Sequence, residues 1–193
     1  MSQPLTYIYL KAQAITLLLL GRKAAALDRF QAMLAIAPGN RYVMASCAHL
    51  LGELGHKTKA IAALEVLNQA YPDQSASWFN MGYLLDEVGR HAEAEPAFRR
   101  ASDFEPKLDR AWYGLALVLI RQGRLDEAVE ALKTNTELQP MSPFGWYQLA
   151  RVQIDRQQPD EAVKIIRHLN GFEPKVAAQL ERETGLRIAQ SPQ

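Results

Sequence analysis

Cysteine is nearly absent: Cys47 is the only one in 193 residues, which excludes an internal disulfide framework and any multi-cysteine metal site. Glycine is sparse at 11 residues, and the abundance of Ala, Leu, Gln and Arg leans helical. Excess charge of one sign is also missing. The 22 Lys+Arg against 21 Asp+Glu leave +1, too little to hold nucleic acid mainly by neutralising phosphates, although a local basic patch survives that count. Long hydrophobic runs are lacking. The longest, Ile15-Thr16-Leu17-Leu18-Leu19-Leu20, is too short to cross a bilayer. Residues 1–6 lack the positive n-region of a secretory signal, no small-residue cleavage site follows, and there is no lipidation motif. The expectation is a cytoplasmic protein with no membrane partner.

What is present is a repeat of 34 residues. The three tryptophans, Trp78, Trp112 and Trp146, stand at that interval, as do Pro38, Pro72, Pro106, Pro140 and Pro174. Ala26, Ala60, Ala94, Ala128 and Ala162 form a third row, and Ala14, Ala48, Gly82, Ala116 and Ala150 a fourth, small at every step. A glycine row, Gly21, Gly55, Gly89 and Gly123, fails only at Gln157. Five rows in fixed phase exceed what composition bias produces. They divide the chain into an N-terminal lead 1–6, five repeats (7–40, 41–74, 75–108, 109–142, 143–176) and a remainder 177–193, leaving no second domain.

Each repeat reads as two helices. In the third, Trp78, Met81, Gly82 and Leu85 follow the spacing of one apolar helical face. Gly89 supplies the left-handed residue that ends the first helix. Ala94, Phe98 and Ala101 make the stripe of the second, and Pro106 stops it. Ser142-Pro143 predicts an N-cap followed by proline at the first helical position, and Pro159-Asp160-Glu161 another opening turn. Pro96 is discordant: inside a helix it removes a hydrogen bond and bends the axis slightly. A last helix near 175–184, with Val176, Ala177 and Leu180 on one side and Gly185 at its end, is the polar-backed cap that a terminal repeat needs. Residues 190–193 are expected to be frayed.

These residues resemble the tetratricopeptide repeat. The match is best over 75–108, through Trp78, Met81, Gly82, Leu85, Gly89, Ala94, Phe98, Ala101 and Pro106. It weakens in the first two units, where Leu10 and Met44 replace tryptophan and Gln13 sits at a usually apolar position. The resemblance implies an all-α, right-handed solenoid of five helix-turn-helix repeats with a C-terminal capping helix. Its first helices would line a concave groove that binds segments of other proteins rather than catalysing a reaction.

Within each first helix, repeat positions 4, 7, 8 and 11 face the core. Positions 2, 5, 9 and 12 lie about 200° around the axis and project away from it. The resemblance places these on the concave surface, with position 13 nearby. They include Tyr42, His49, Phe79, Tyr83, Arg110, Tyr113, Leu117, Phe144, Tyr147 and Arg151. Rings that folding does not require are good anchors for a bound segment, and Arg110 and Arg151 offer fork-shaped donors to its carboxylates or carbonyls. Glu53, Glu87 and Asp155 form an acidic edge. The competing reading is that several rings pack on neighbouring repeats. The tryptophans, on the core face, read as structural.

Asn80 would stand at the central asparagine of the clamp by which some members grip acidic chaperone tails. Ala45, His49 and Tyr113 occupy the clamp's other places, so the clamp is absent. The groove is closer in character to the tetratricopeptide chaperones of type III secretion, an alternative function to adaptor or scaffold. Helical repeats that read RNA are a third class, but their basic groove is not evident.

The first helix poses a separate question. Tyr7, Ile8, Ile15, Leu18 and Leu19 leave it apolar nearly all round, and such a helix is normally buried. The reading is that it packs against another copy, as a homodimer, or against a partner's helix; the competing reading is an edge helix covered by residues 1–6. Catalytic chemistry is not in evidence. His49, His56, His91 and His168 lack metal-ligand spacing, Cys47 lies on a core face, and no phosphate loop or nucleophile elbow occurs. No cofactor and no metal are expected. The partner is a protein or peptide.

Overall fold

The computed structural model describes residues 3–187. Among the described residues all regular structure is helical. The helices are α1 (Gln3–Leu19), α2 (Lys23–Ile36), α3 (Arg41–Glu53), α4 (Lys57–Ala70), α5 (Ser75–Glu87), α6 (His91–Phe104), α7 (Asp109–Arg121), α8 (Leu125–Leu138), α9 (Pro143–Asp155), α10 (Pro159–Asn170) and α11 (Pro174–Thr184). The chain groups into two compact units, Met1–Phe104 and Glu105–Gln193. In the first, α1 to α6 pack each against the next. In the second, α7 to α11 do the same, and α11 also touches α9. The fold is an all-α array of helix-turn-helix repeats. The expected lead is not separate, since α1 begins at Gln3. Residues 190–193, expected to be frayed, lie outside the described residues.

The turn inside each repeat is one structure used repeatedly. Gly21, Gly55, Gly89 and Gly123 all have positive φ, between 69° and 80°. At Gly89 the N–H donates to the Asp86 carbonyl, and the Arg90 N–H donates to Leu85. This is the double bond of a Schellman cap, which satisfies carbonyls that the helix end would otherwise orphan. Leu17–Arg22, Leu51–His56 and Leu119–Arg124 repeat the longer bond. Gln157, where the glycine row fails, adopts the same conformation at φ 60°, alone among the described non-glycine residues. Its turn keeps both bonds, Gln157 to Ile154 and Gln158 to Gln153.

Small residues let helices close on each other. The Ala26 row is fully buried at every step, and the Ala14 row is buried throughout. A Cβ built at Gly82 would stand 3.0 Å from three atoms of the Phe98 ring, so this glycine is where the α5 backbone meets a large side chain of α6. Each tryptophan is half-buried and fixes the start of its helix. The indole N–H donates to the carbonyl of the lattice proline six residues before it: Trp78 to Pro72 at 2.7 Å, Trp112 to Pro106 at 2.9 Å and Trp146 to Pro140 at 2.8 Å. The second repeat has Met44 instead, and there Asn40 accepts from the Val43 N–H at 3.1 Å as a side-chain cap. Ser142 stands at the predicted N-cap of α9, but its hydroxyl makes no cap bond. The Trp146 contact and Pro143 at the helix start serve that end instead. Pro96 lies inside α6 without interrupting it.

Candidate functional site

In the first unit the predicted binding face comprises Tyr42 on α3 and Phe79, Asn80 and Tyr83 on α5, with His49 two turns beyond Tyr42. Tyr42 is 50% exposed and Tyr83 52% exposed. Tyr42 meets the buried Phe30 edge-on at 6.0 Å and carries the Lys11 ammonium 5.5 Å from its centroid, so its inner edge is structural and its outer edge open. Phe79 is half-buried and lies 5.9 Å from Phe98, which makes it partly a core ring. Asn80 and His49 are exposed. The Tyr83 hydroxyl bonds to Glu87, and that carboxylate pushes the phenol above its ordinary range.

In the second unit Phe144 is 69% exposed, Arg110 and Arg151 are exposed, and Tyr113, Leu117 and Tyr147 are half-buried. Tyr147 is engaged from an unforeseen direction. Its hydroxyl donates to Glu183 of α11 at 2.6 Å, and Arg151 lies over its ring at 5.8 Å with a 3.4 Å contact to the same oxygen. The Tyr147 hydrogen bond, together with Gln179, holds the Glu183 carboxyl below its ordinary value. The capping helix thus presents a carboxylate to one ring expected to anchor a ligand and one guanidinium expected to orient it.

The acidic edge is not a free negative strip. Lys23 of α2 donates to Glu53 at 2.9 Å, and Lys57 of α4 stands 3.5 Å from Glu87. The two lysines are themselves 34 apart, so α2 and α4 each neutralise the acid on the first helix that follows. The Lys23 ammonium holds the Glu53 carboxyl below its ordinary range. This lattice was legible once lysine was placed at position 17 and glutamate at position 13, but reading helices singly hid it.

Positions 3 and 10 of the first helices also escaped the sequence analysis. Val43 and Leu50 of α3, Ser77 and Leu84 of α5, and Gly145 and Val152 of α9 are all buried. Each of these helices is packed by the second helix before it. In α1 the residues at these positions, Tyr9 and Thr16, are exposed; on the outward face Ile8, Ile15, Leu18 and Leu19 are exposed as well, Leu19 to 84%, while Tyr7 is half-buried. Leu5, near the start of the described residues, is exposed as well.

Cys47 is buried, and burial pushes its thiol up to about 11, far from a reactive thiolate. Among the described residues no group of His, Cys, Asp and Glu could hold a metal ion, and no helix is long and apolar enough to cross a membrane.

A helix-turn-helix unit repeated every 34 residues, with a glycine turn and a tryptophan tied to proline, defines an α-helical repeat protein. The tetratricopeptide repeat family matches residues 17–81 and 87–143, and the chain belongs to that family. No curated protein matches it. Among solved structures it is similar to a MamA protein at 18% identity, over 97% of this chain and 98% of that one, with a TM-score of 0.82. It is also similar to MamA of Desulfovibrio magneticus RS-1, from residue 41 to its end, at 16% identity over 94% and 98%, TM-score 0.78. A third is YrrB, at 16% identity over 88% of each chain, TM-score 0.77. At these identities the likeness is one of fold.

Proposed function

We propose that this chain is a non-catalytic interaction module, an adaptor that holds a peptide or helix of a partner protein on the aromatic face of its first helices. Tetratricopeptide repeats are protein-interaction modules, and that much follows from the family. The finer reading rests on one observation: Tyr42, Tyr83 and Phe144 are half or more exposed although positions 4, 7, 8 and 11 already supply the core. An exposed ring contributes little to folding, yet it supplies large contact area at small entropy loss when a partner covers it. YrrB is described as a TPR protein with an unusual peptide-binding site, and the shared fold is consistent with a similar use here. Arg110 supplies a guanidinium to the bound segment, whereas Arg151 acts with Tyr147 and Glu183 as a polar stop at the α11 end of the face.

The test compares affinity capture from native lysate by the wild type and by the Tyr83→Ala, Tyr113→Ala, Tyr147→Ala triple variant, read by mass spectrometry. The proposal expects specific proteins to be enriched by the wild type and lost from the variant, with circular dichroism showing both folded. Retention of every partner by the variant would overturn the assignment of the face.

A further inference from the structure

The repeat lattice shows which surface of a first helix is built to be covered. Positions 3 and 10 are buried in α3, α5 and α9 beneath α2, α4 and α8. In α1 the same positions hold Tyr9, 56% exposed, and Thr16, also exposed. With Gln13, Arg22, Ala25 and Arg29 they line a groove of about 520 Å³ between α1 and α2. Its charged groups are of one sign. The Arg22 and Arg29 side chains make no hydrogen bond or ion pair among the described residues, and no acidic residue precedes Asp28 in the sequence. The Gln13 Oε1 is buried without a hydrogen-bond partner. An orphaned acceptor of this kind costs stability until a donor meets it.

We propose that this end face, from Tyr9 and Thr16 of α1 to Arg22 and Arg29 of α2, seats an amphipathic helix of a partner protein bearing carboxylates beside its apolar stripe. The helix lies where a preceding second helix would lie, with its apolar residues over Tyr9, Ala25 and Thr16, its acids on the two arginines and a donor on Gln13. Charge argues against a second copy in the same seat. Two such faces turned on each other would oppose Arg22 and Arg29 to their own equivalents with no acid between them, and like charges across an interface discriminate strongly. None of its residues belongs to the aromatic face.

The chain itself contains a suitable probe. Residues 125–138 form a second helix, α8, whose Asp126, Glu127, Glu130 and Glu137 flank the buried Ala128, Val129 and Leu132. A fluorescein-labelled, hydrocarbon-stapled peptide of that sequence is titrated with the full chain at low salt and read by anisotropy. A second peptide carries lysine at the four acidic positions. The acidic peptide is expected to bind saturably and the lysine peptide at least about tenfold more weakly, a difference set by the two close charge pairs. The Arg22→Glu, Arg29→Glu variant is expected to reverse that preference, and the triple tyrosine variant to leave it unchanged. The wild-type comparison of the two peptides stands even if the arginine variant does not fold. Absence of saturable binding, equal binding of both peptides, or loss of binding in the tyrosine variant would overturn the proposal. So would a dimer in light scattering of the chain alone that the arginine variant disperses, since that result assigns the face to a second copy.

Discussion

Replacing Gln157 by glycine is expected to stabilise the fifth repeat. Gln157 holds φ 60° at the lattice position where the other four repeats have glycine at 69° to 80°. An L-residue in the left-handed region carries a steric cost of about 1–2 kcal/mol between its Cβ and the following carbonyl. Glycine removes that cost but has more freedom to lose on folding, about 0.4–1 kcal/mol. The difference leaves about 0.5–1 kcal/mol in favour of Gln157→Gly. Nothing else is lost: Gln157 is exposed, and both cap hydrogen bonds of its turn are backbone bonds. For a chain of this length that corresponds to a rise of about 1–4 °C in Tm. The matched perturbation is Gly123→Ala. An added Cβ there meets no atom within 4 Å, so only the backbone conformation at φ 73° is penalised, and a loss of about 1 kcal/mol is expected. Urea unfolding followed by far-UV circular dichroism measures both, and hydrogen exchange at α9 and α10 locates the effect, as repeat arrays do not unfold strictly as one unit. If Gln157→Gly fails to stabilise while Gly123→Ala costs the expected amount, the left-handed strain at Gln157 is not what limits this turn.

Gly145→Ala is expected to cost about 1–3 kcal/mol, because its Cβ would fall 2.2 Å from the Oδ1 of buried Asn135 and dislodge the Nδ2 bond to the Asp109 carbonyl. Adding Asn135→Ala should recover part of the loss in a double-mutant cycle; strict additivity would refute the clash. Trp112→Phe keeps an aromatic ring but loses the indole N–H with its 2.9 Å bond to Pro106, and some packing volume; a destabilisation of at least about 1 kcal/mol by denaturant melt is expected. The Glu183 carboxyl is held below its ordinary value by Tyr147. Its contribution to docking α11 is therefore complete above the unfolded value near 4.5 and is lost as the pH falls through the lower folded value. Hydrogen exchange across α11 should quicken in that acid window for the wild type, and Glu183→Gln should remove the pH dependence.

Much of the fold was legible because its determinants are local and recur. Gly89 marks a left-handed turn whatever surrounds it, and Pro106 ends α6 in the same way. Three more copies of the glycine and four more of the proline at 34-residue spacing made the reading cumulative. The site was legible only as a face. Periodicity says that Tyr83 and Phe144 point away from the core, but the engagement of Tyr147 by Glu183 spans 36 residues and has no signature in either helix alone. Position 10 shows the same boundary. Leu50, Leu84 and Val152 read as apolar residues on the flank of an amphipathic helix, and burial under the preceding helix appears only once neighbours are stacked.

The sequence by itself determined the unit: its length, its two helices, its glycine turn and the small residues where backbones approach. These follow from steric and hydrogen-bonding rules acting over a few residues, so they are the same in every copy. Tertiary structure decided which equivalent positions stay equivalent. Lys23 finds Glu53 and Lys57 finds Glu87 because one helix lies beside the next, while Tyr9 and Thr16, in the register of buried residues, remain in water because no described helix lies against them. Burial is a property of neighbours. A repeated sequence specifies the surface that needs covering, and packing alone determines where the cover is missing.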